Sequence, residues 1–130
     1  MIVVDSSILI DRFRDMETPE TVALQENLKA RTPILIGDIV LLEVLRGARN
    51  ERHAENVRRE IEKFFLVPML STDLAIKAAR HYRILRERGK TVYKTPDLII
   101  GTYCIEHGYS LLQRDKDYLP MAEHLGLKLA

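Results

Sequence analysis

Five carboxylates stand where apolar runs give way to polar residues. Asp5 follows Ile2–Val4, Glu43 lies inside IVLLEVL, Asp97 precedes LII in TPDLII, and Asp115 and Asp117 end LLQRDKD. Carboxylates gathered in one place raise each other's pKa and destabilise a fold. A bound cation removes that conflict. Oxygen donors, with Cys104 the only cysteine and no histidine pair at metal spacing, favour a hard divalent ion, Mg2+ or Mn2+. The scattered His53, His81, His107 and His124 read as ordinary surface residues.

Each acid also has a plainer explanation. Asp5 can cap a helix, which stabilises it by about 1 kcal/mol, although Ser6 or Ser7 could do the same. Glu43 shares a helical stripe with Ile39, Leu42 and Arg46, so it is either half of a surface pair with Arg46 or an acid facing a cavity. In Thr95-Pro96-Asp97 the threonine reads as a cap, proline as the first helical residue, and aspartate as the partner of the helix dipole. Asp115 and Asp117 fit a solvated turn neutralised by Arg114 and Lys116. What argues for a site is the set, contributed by regions far apart in the chain.

The elements that must bring these acids together are legible from periodicity. Short apolar strands are expected at Ile2–Val4, Ile34–Ile36, Leu66–Val67, Leu111–Leu112 and Leu127–Leu129. Between them fall helices: one opening at Ser6 or Ser7 and running through Phe13, one over 18–30 with Thr18 as cap and Pro19 first, then Ile39–Ala48 and Arg52–Phe64. A long helix from Ser71-Thr72 stops at Gly89, another from Thr95 ends at Gly108, and Tyr118–Leu125 is the last. Strands alternating with helices describe an α/β domain with a parallel sheet. In such sheets sites form beyond the carboxyl ends of strands, where Asp5 and Asp115 stand.

Residues 1–130 are long enough to bury one core, and no repeat or linker divides them, so a single domain is expected. No apolar stretch approaches a membrane span, and the opening MIVV is too short, and lacks the basic leader, for a secretory signal. A cytoplasmic protein is expected, with no membrane association. The net charge of +1 hides a basic middle, where residues 46–94 hold 13 Lys/Arg against 6 Asp/Glu, between two acidic ends. Such a split can mark a nucleic-acid partner or simply solvated helices.

The segments VVDSSILID, LLEVLRGA, TPDLIIGTYCIEHG and LLQRDKDY, in this order and spanning nearly the whole chain, resemble the PIN-domain ribonucleases, and within them the VapC-type toxins of toxin–antitoxin pairs. The resemblance implies a three-layer α/β/α fold with a short central parallel sheet. It implies Mg2+-dependent hydrolysis of RNA, leaving a 3′-hydroxyl and a 5′-phosphate. Asp5, Glu43 and Asp97 would be the core metal-site acids, with the fourth drawn from Asp115 and Asp117. Ser6 would support the first acid, and Arg46 and Arg49 would meet substrate phosphates, contacts that set affinity and register. Arg80, Arg83, Arg86 and Lys90 recur at helical spacing and read as a solvated face. A small antitoxin and a homodimeric toxin are further implications. Gln113 departs from the pattern, which more usually has threonine before the fourth acid.

Two rival readings differ in chemistry. An inactive PIN-like module that binds RNA or protein would have lost an acid, and none is missing. A phosphotransferase using Asp5 as nucleophile would need a second aspartate at position 7, where Ser7 stands.

Overall fold

Ile2–Val4 forms strand β1 in the middle of a sheet because it has no polar face to show: Val3 and Val4 are fully buried. The computed structural model describes residues 1–92 and 94–130. After β1 come α1 (Ser6–Phe13), α2 (Pro19–Lys29), β2 (Ile34–Gly37), α3 (Asp38–Arg46), α4 (Glu51–Ile61) and β3 (Phe65–Val67). Then follow α5 (Thr72–Glu87), α6 (Thr95–His107), β4 (Ser110–Leu112), a 3-10 turn (Lys116–Tyr118), α7 (Leu119–Leu125) and β5 (Lys128–Leu129).

The strands pair in parallel in the order β3-β2-β1-β4-β5. Val3 lies opposite Leu35 on one side and Leu111 on the other. From β1 the chain moves outward to β2 and β3, then crosses back to β4 and β5. Right-handed crossovers therefore send α1–α4 to one face and α5–α7 to the other. The direction reverses between β1 and β4, and the crevice beyond their carboxyl ends is where such a sheet accepts ligands. The expected α/β architecture is the one observed.

Local chemistry accounts for most boundaries. Thr18 and Thr21 cap α2 reciprocally, each hydroxyl accepting from the other's N–H at 3.0 and 2.8 Å. Ser71 caps α5, and Gly108, in the left-handed region at φ 69°, ends α6. Several boundaries shift, α3 ending at Arg46 instead of Ala48 and β5 starting at Lys128 instead of Leu127. Helix α4 begins at Glu51 because Asn50 caps it, and stops at Ile61 instead of Phe64. The helix expected from Tyr118 starts one residue later, because a 3-10 turn occupies Lys116–Tyr118. Thr95 is not a cap: Lys94 holds that position with no side-chain bond, and Thr95 lies inside the first turn of α6.

The Met121 side chain of α7 lies against Gly101 of α6. A Cβ there would lie 2.5 Å from the Met121 Cε and 2.6 Å from its Sδ, and Met121 is fully buried. Gly101→Val is therefore expected to lower stability by about 2–3 kcal/mol through overpacking. Thermal or urea unfolding measures it, and an unchanged midpoint would mean that the two helices have room to part.

Candidate active site

Asp5 is the residue directly after β1, and its N–H continues the ladder by donating to the Leu112 carbonyl at 3.0 Å. It is 4% exposed. The carboxylate does both jobs that were set against each other: it caps α1 and it faces the other acids. Oδ2 accepts from the Ser7 N–H at 3.2 Å and the Ser7 hydroxyl at 2.6 Å. Oδ1 accepts from the Tyr118 hydroxyl at 2.9 Å. Ser6, expected to support this acid, is the first residue of α1 and lies beside Glu43 instead, and Ser7 takes the supporting place.

Asp97 sits in the first turn of α6, 5% exposed. Burial, then the nearby Asp5 and Asp115 carboxylates, push its pKa up to about 7, against the pull of Lys94 and Tyr118. Its Oδ1 lies 3.2 Å from the Tyr118 hydroxyl, while among the described residues the buried Oδ2 has no partner. Asp115 caps the 3-10 turn, Oδ1 accepting from the Asp117 N–H at 2.9 Å. Partial burial raises its pKa, but that bond and the Lys94 ammonium, 3.0 Å from Oδ2, bring it below the ordinary value. Asp97, Asp115 and Asp117 each present a carboxylate oxygen within 4.8 Å of the other two.

Glu43, on α3, is half-buried and lines a cleft with Ile10, Phe13, Val44 and His53. Burial raises its pKa first and Asp5 second, while Ser6, Arg46 and Lys94 oppose the shift. Its Oε1 is buried without a partner. Among the described residues no ion pair joins it to Arg46, so the cavity-facing alternative is the one observed. Glu43 stands outside the trio of Asp97, Asp115 and Asp117 but feels Asp5 directly. Arg46 is exposed at the end of α3. Arg49 lies in the following loop, where its N–H donates to His53 Nδ1 and no contact brings it to the acids.

Four participants escaped sequence reasoning. Tyr118 and Lys94 carry no signal of their own, one reading as a core aromatic and the other as a surface base. Arg114, expected to neutralise Asp115 and Asp117, does help to lower the Asp115 pKa, but its hydrogen bonds go to Asp11, in a two-pronged pair at 2.7 and 3.2 Å. Asp11 is the fourth, only 2% exposed on an otherwise amphipathic α1. His81 is not a plain surface residue either: half-buried, its Nδ1 meets the Thr102 hydroxyl at 2.9 Å.

The PIN-domain family profile matches residues 2–123. The chain belongs to the PIN-domain family. This PIN domain is 28% identical to ribonuclease VapC11 of Mycobacterium tuberculosis over 134 residues, covering 100% of this chain and 98% of the relative. It is 27% identical to ribonuclease VapC1 of Methanocaldococcus jannaschii over 128 residues, or 98% of this chain and 85% of that one. Among solved structures, a toxin–antitoxin complex from Klebsiella pneumoniae matches with a TM-score of 0.70 and 26% identity over 91% of this chain and 90% of its own.

PIN nucleases use divalent metal ions, and the donor set of this PIN domain fits one. Among the described residues, two buried carboxylate oxygens, on Glu43 and Asp97, have no protein partner, and an unpaired buried charge is costly. The donors are oxygens only, as a hard cation prefers.

Proposed function

We propose that this PIN domain is an Mg2+-dependent endoribonuclease, the toxin of a toxin–antitoxin pair, whose residues 1–130 work as one domain in the cytoplasm. Asp5, Glu43, Asp97, Asp115 and Asp117 form the metal-site set, and Mn2+ substitutes for Mg2+. The observation that carries the reading is the Asp97 carboxylate, buried among like charges with one oxygen unpartnered. The curated relatives named as ribonucleases support it from outside. When bound, the divalent ion supplies a water of lowered pKa and charge neutralisation at the phosphate.

The chain's own groups do the rest. Asp97, Asp115 and Asp117 define the point at which a scissile phosphate is met. Arg46, exposed on the helix that carries Glu43, binds a neighbouring phosphate, with Arg49 further along the strand, and both contacts weaken with salt. The Lys94 ammonium, paired with Asp115, moderates the repulsion among the acids.

A small antitoxin covers the acidic crevice, a reading supported by the solved toxin–antitoxin complex. The exposed Leu42, Phe65, Leu70 and Ile76 supply apolar surface for partner chains, a second copy in a homodimer among them. Among the described residues no helix is long and apolar enough to cross a membrane.

Purified protein freed of partners is expected to cut RNA with Mg2+ or Mn2+ and to stop on addition of EDTA. Gel analysis across tRNA, rRNA and mRNA tests this. Cleavage that persists in EDTA would overturn the metal reading, and no cleavage with any RNA would favour a binding module.

A further inference from the structure

Tyr118 is fully buried in the turn that carries Asp117, and among the described residues its hydroxyl bonds only carboxylates. It lies 2.9 Å from the Asp5 Oδ1 and 3.2 Å from the Asp97 Oδ1. These acids come from elements 92 positions apart in sequence, beyond β1 and in the first turn of α6. A buried hydroxyl is costly unless paired, and phenylalanine would fill the same space without that cost. The hydroxyl therefore has a use that packing does not explain.

The geometry limits that use. One phenolic proton serves two acceptors, so both Oδ1 atoms are drawn to a single point. The Asp5 Oδ2 is held by Ser7. Among the described residues the Asp97 Oδ2 is left buried and unpartnered, on the same carboxylate group that converges with Asp115 and Asp117. We propose that Tyr118 is a positioning residue: its phenol ties Asp5 to Asp97 and leaves the second Asp97 oxygen free for a divalent cation. The proposal rests on the metal-site reading above and adds a residue to it. Partners behind the ligands commonly set metal affinity by 10–100-fold.

The test is Mn2+ binding to the full-length protein, read by electron paramagnetic resonance of the free ion, with no RNA present. Tyr118→Phe keeps the ring and loses the hydroxyl. It is expected to weaken Mn2+ binding about tenfold while circular dichroism stays that of the parent. Unchanged or tighter binding in Tyr118→Phe, with the parent binding normally, overturns the role of Tyr118 alone. A parent that binds no Mn2+ overturns the metal site and this proposal together. Should Tyr118→Phe fail to fold in plain buffer, it is compared with the parent in sucrose, which strengthens burial. Weaker Mn2+ binding of Tyr118→Phe than of the parent in sucrose supports the tether, and equal binding overturns it.

Discussion

Asp97→Asn is expected to reduce RNA cleavage by at least about 100-fold and, in the same protein without cation, to raise stability. The two effects have one cause. Asp97 is buried beside Asp5 and Asp115, and its pKa rises from 3.8 to about 7. The charged form needed to hold a cation is therefore the form the metal-free fold tolerates least.

The sign follows from linkage. A carboxyl whose folded pKa is raised contributes stability that is fully present below its unfolded value, near 3.8, and is lost as pH rises through about 7. Above pH 7 the metal-free parent carries the whole cost, on the order of 2–4 kcal/mol. Asparagine has no proton to lose and retains an oxygen for the Tyr118 hydroxyl. The stability gap between variant and parent should be small at pH 4, widen to pH 7 and stay level above it. Thermal unfolding in EDTA across that range measures the gap, and equal stability at every pH would mean that Asp97 is not held among charges as the structure has it. Glu43 shifts in the same direction, but it is present in both proteins and adds to the loss in each alike.

Arg114→Ala should destabilise the fold although Arg114 lies outside the metal-site set. Asp11 is 2% exposed, and Arg114 bonds both of its oxygens across 103 positions of sequence. Removing one member of a buried pair typically costs 3–5 kcal/mol, because the other charge remains. The Arg114 side chain is 49% exposed, so water reaches its end of the pair and the loss should be nearer ~1–3 kcal/mol. For a chain of this size that is roughly 5–10 °C in melting temperature. Asp11→Ala/Arg114→Ala should recover part of the loss, since no charge is then stranded. A double variant no more stable than the single one would place the damage in packing, not in the pair.

The same two sites show how far residue patterns reach. Asp5, Asp97 and Asp115 are identifiable because each sits at the border of an apolar run. In a parallel α/β chain such junctions lie at strand ends and helix starts, which is where the sheet opens. Asp11 sits inside an apolar helix much as Glu43 does, yet one is neutralised by a distant arginine and the other has an unpartnered oxygen. No local pattern distinguishes them. The capping question at Asp5 had no answer in sequence either, because a carboxylate has two oxygens and the fold uses each for a different purpose. Thr95 was misplaced for a simpler reason: proline is accepted at either of the first two helical positions, where its missing N–H is not needed.

Apolar periodicity and turn chemistry suffice for the strand–helix alternation, for the parallel sheet, and for acids at its carboxyl edge, because these depend on neighbours within a few residues. The partners of those acids depend on which segments the crossovers bring side by side. The Tyr118 hydroxyl between Asp5 and Asp97, the Lys94 ammonium on Asp115 and the Arg114 fork on Asp11 all join residues 20 or more positions apart. Burial, not residue type, then sets the charge each acid can bear, and burial exists only once the sheet and its two helical layers have closed.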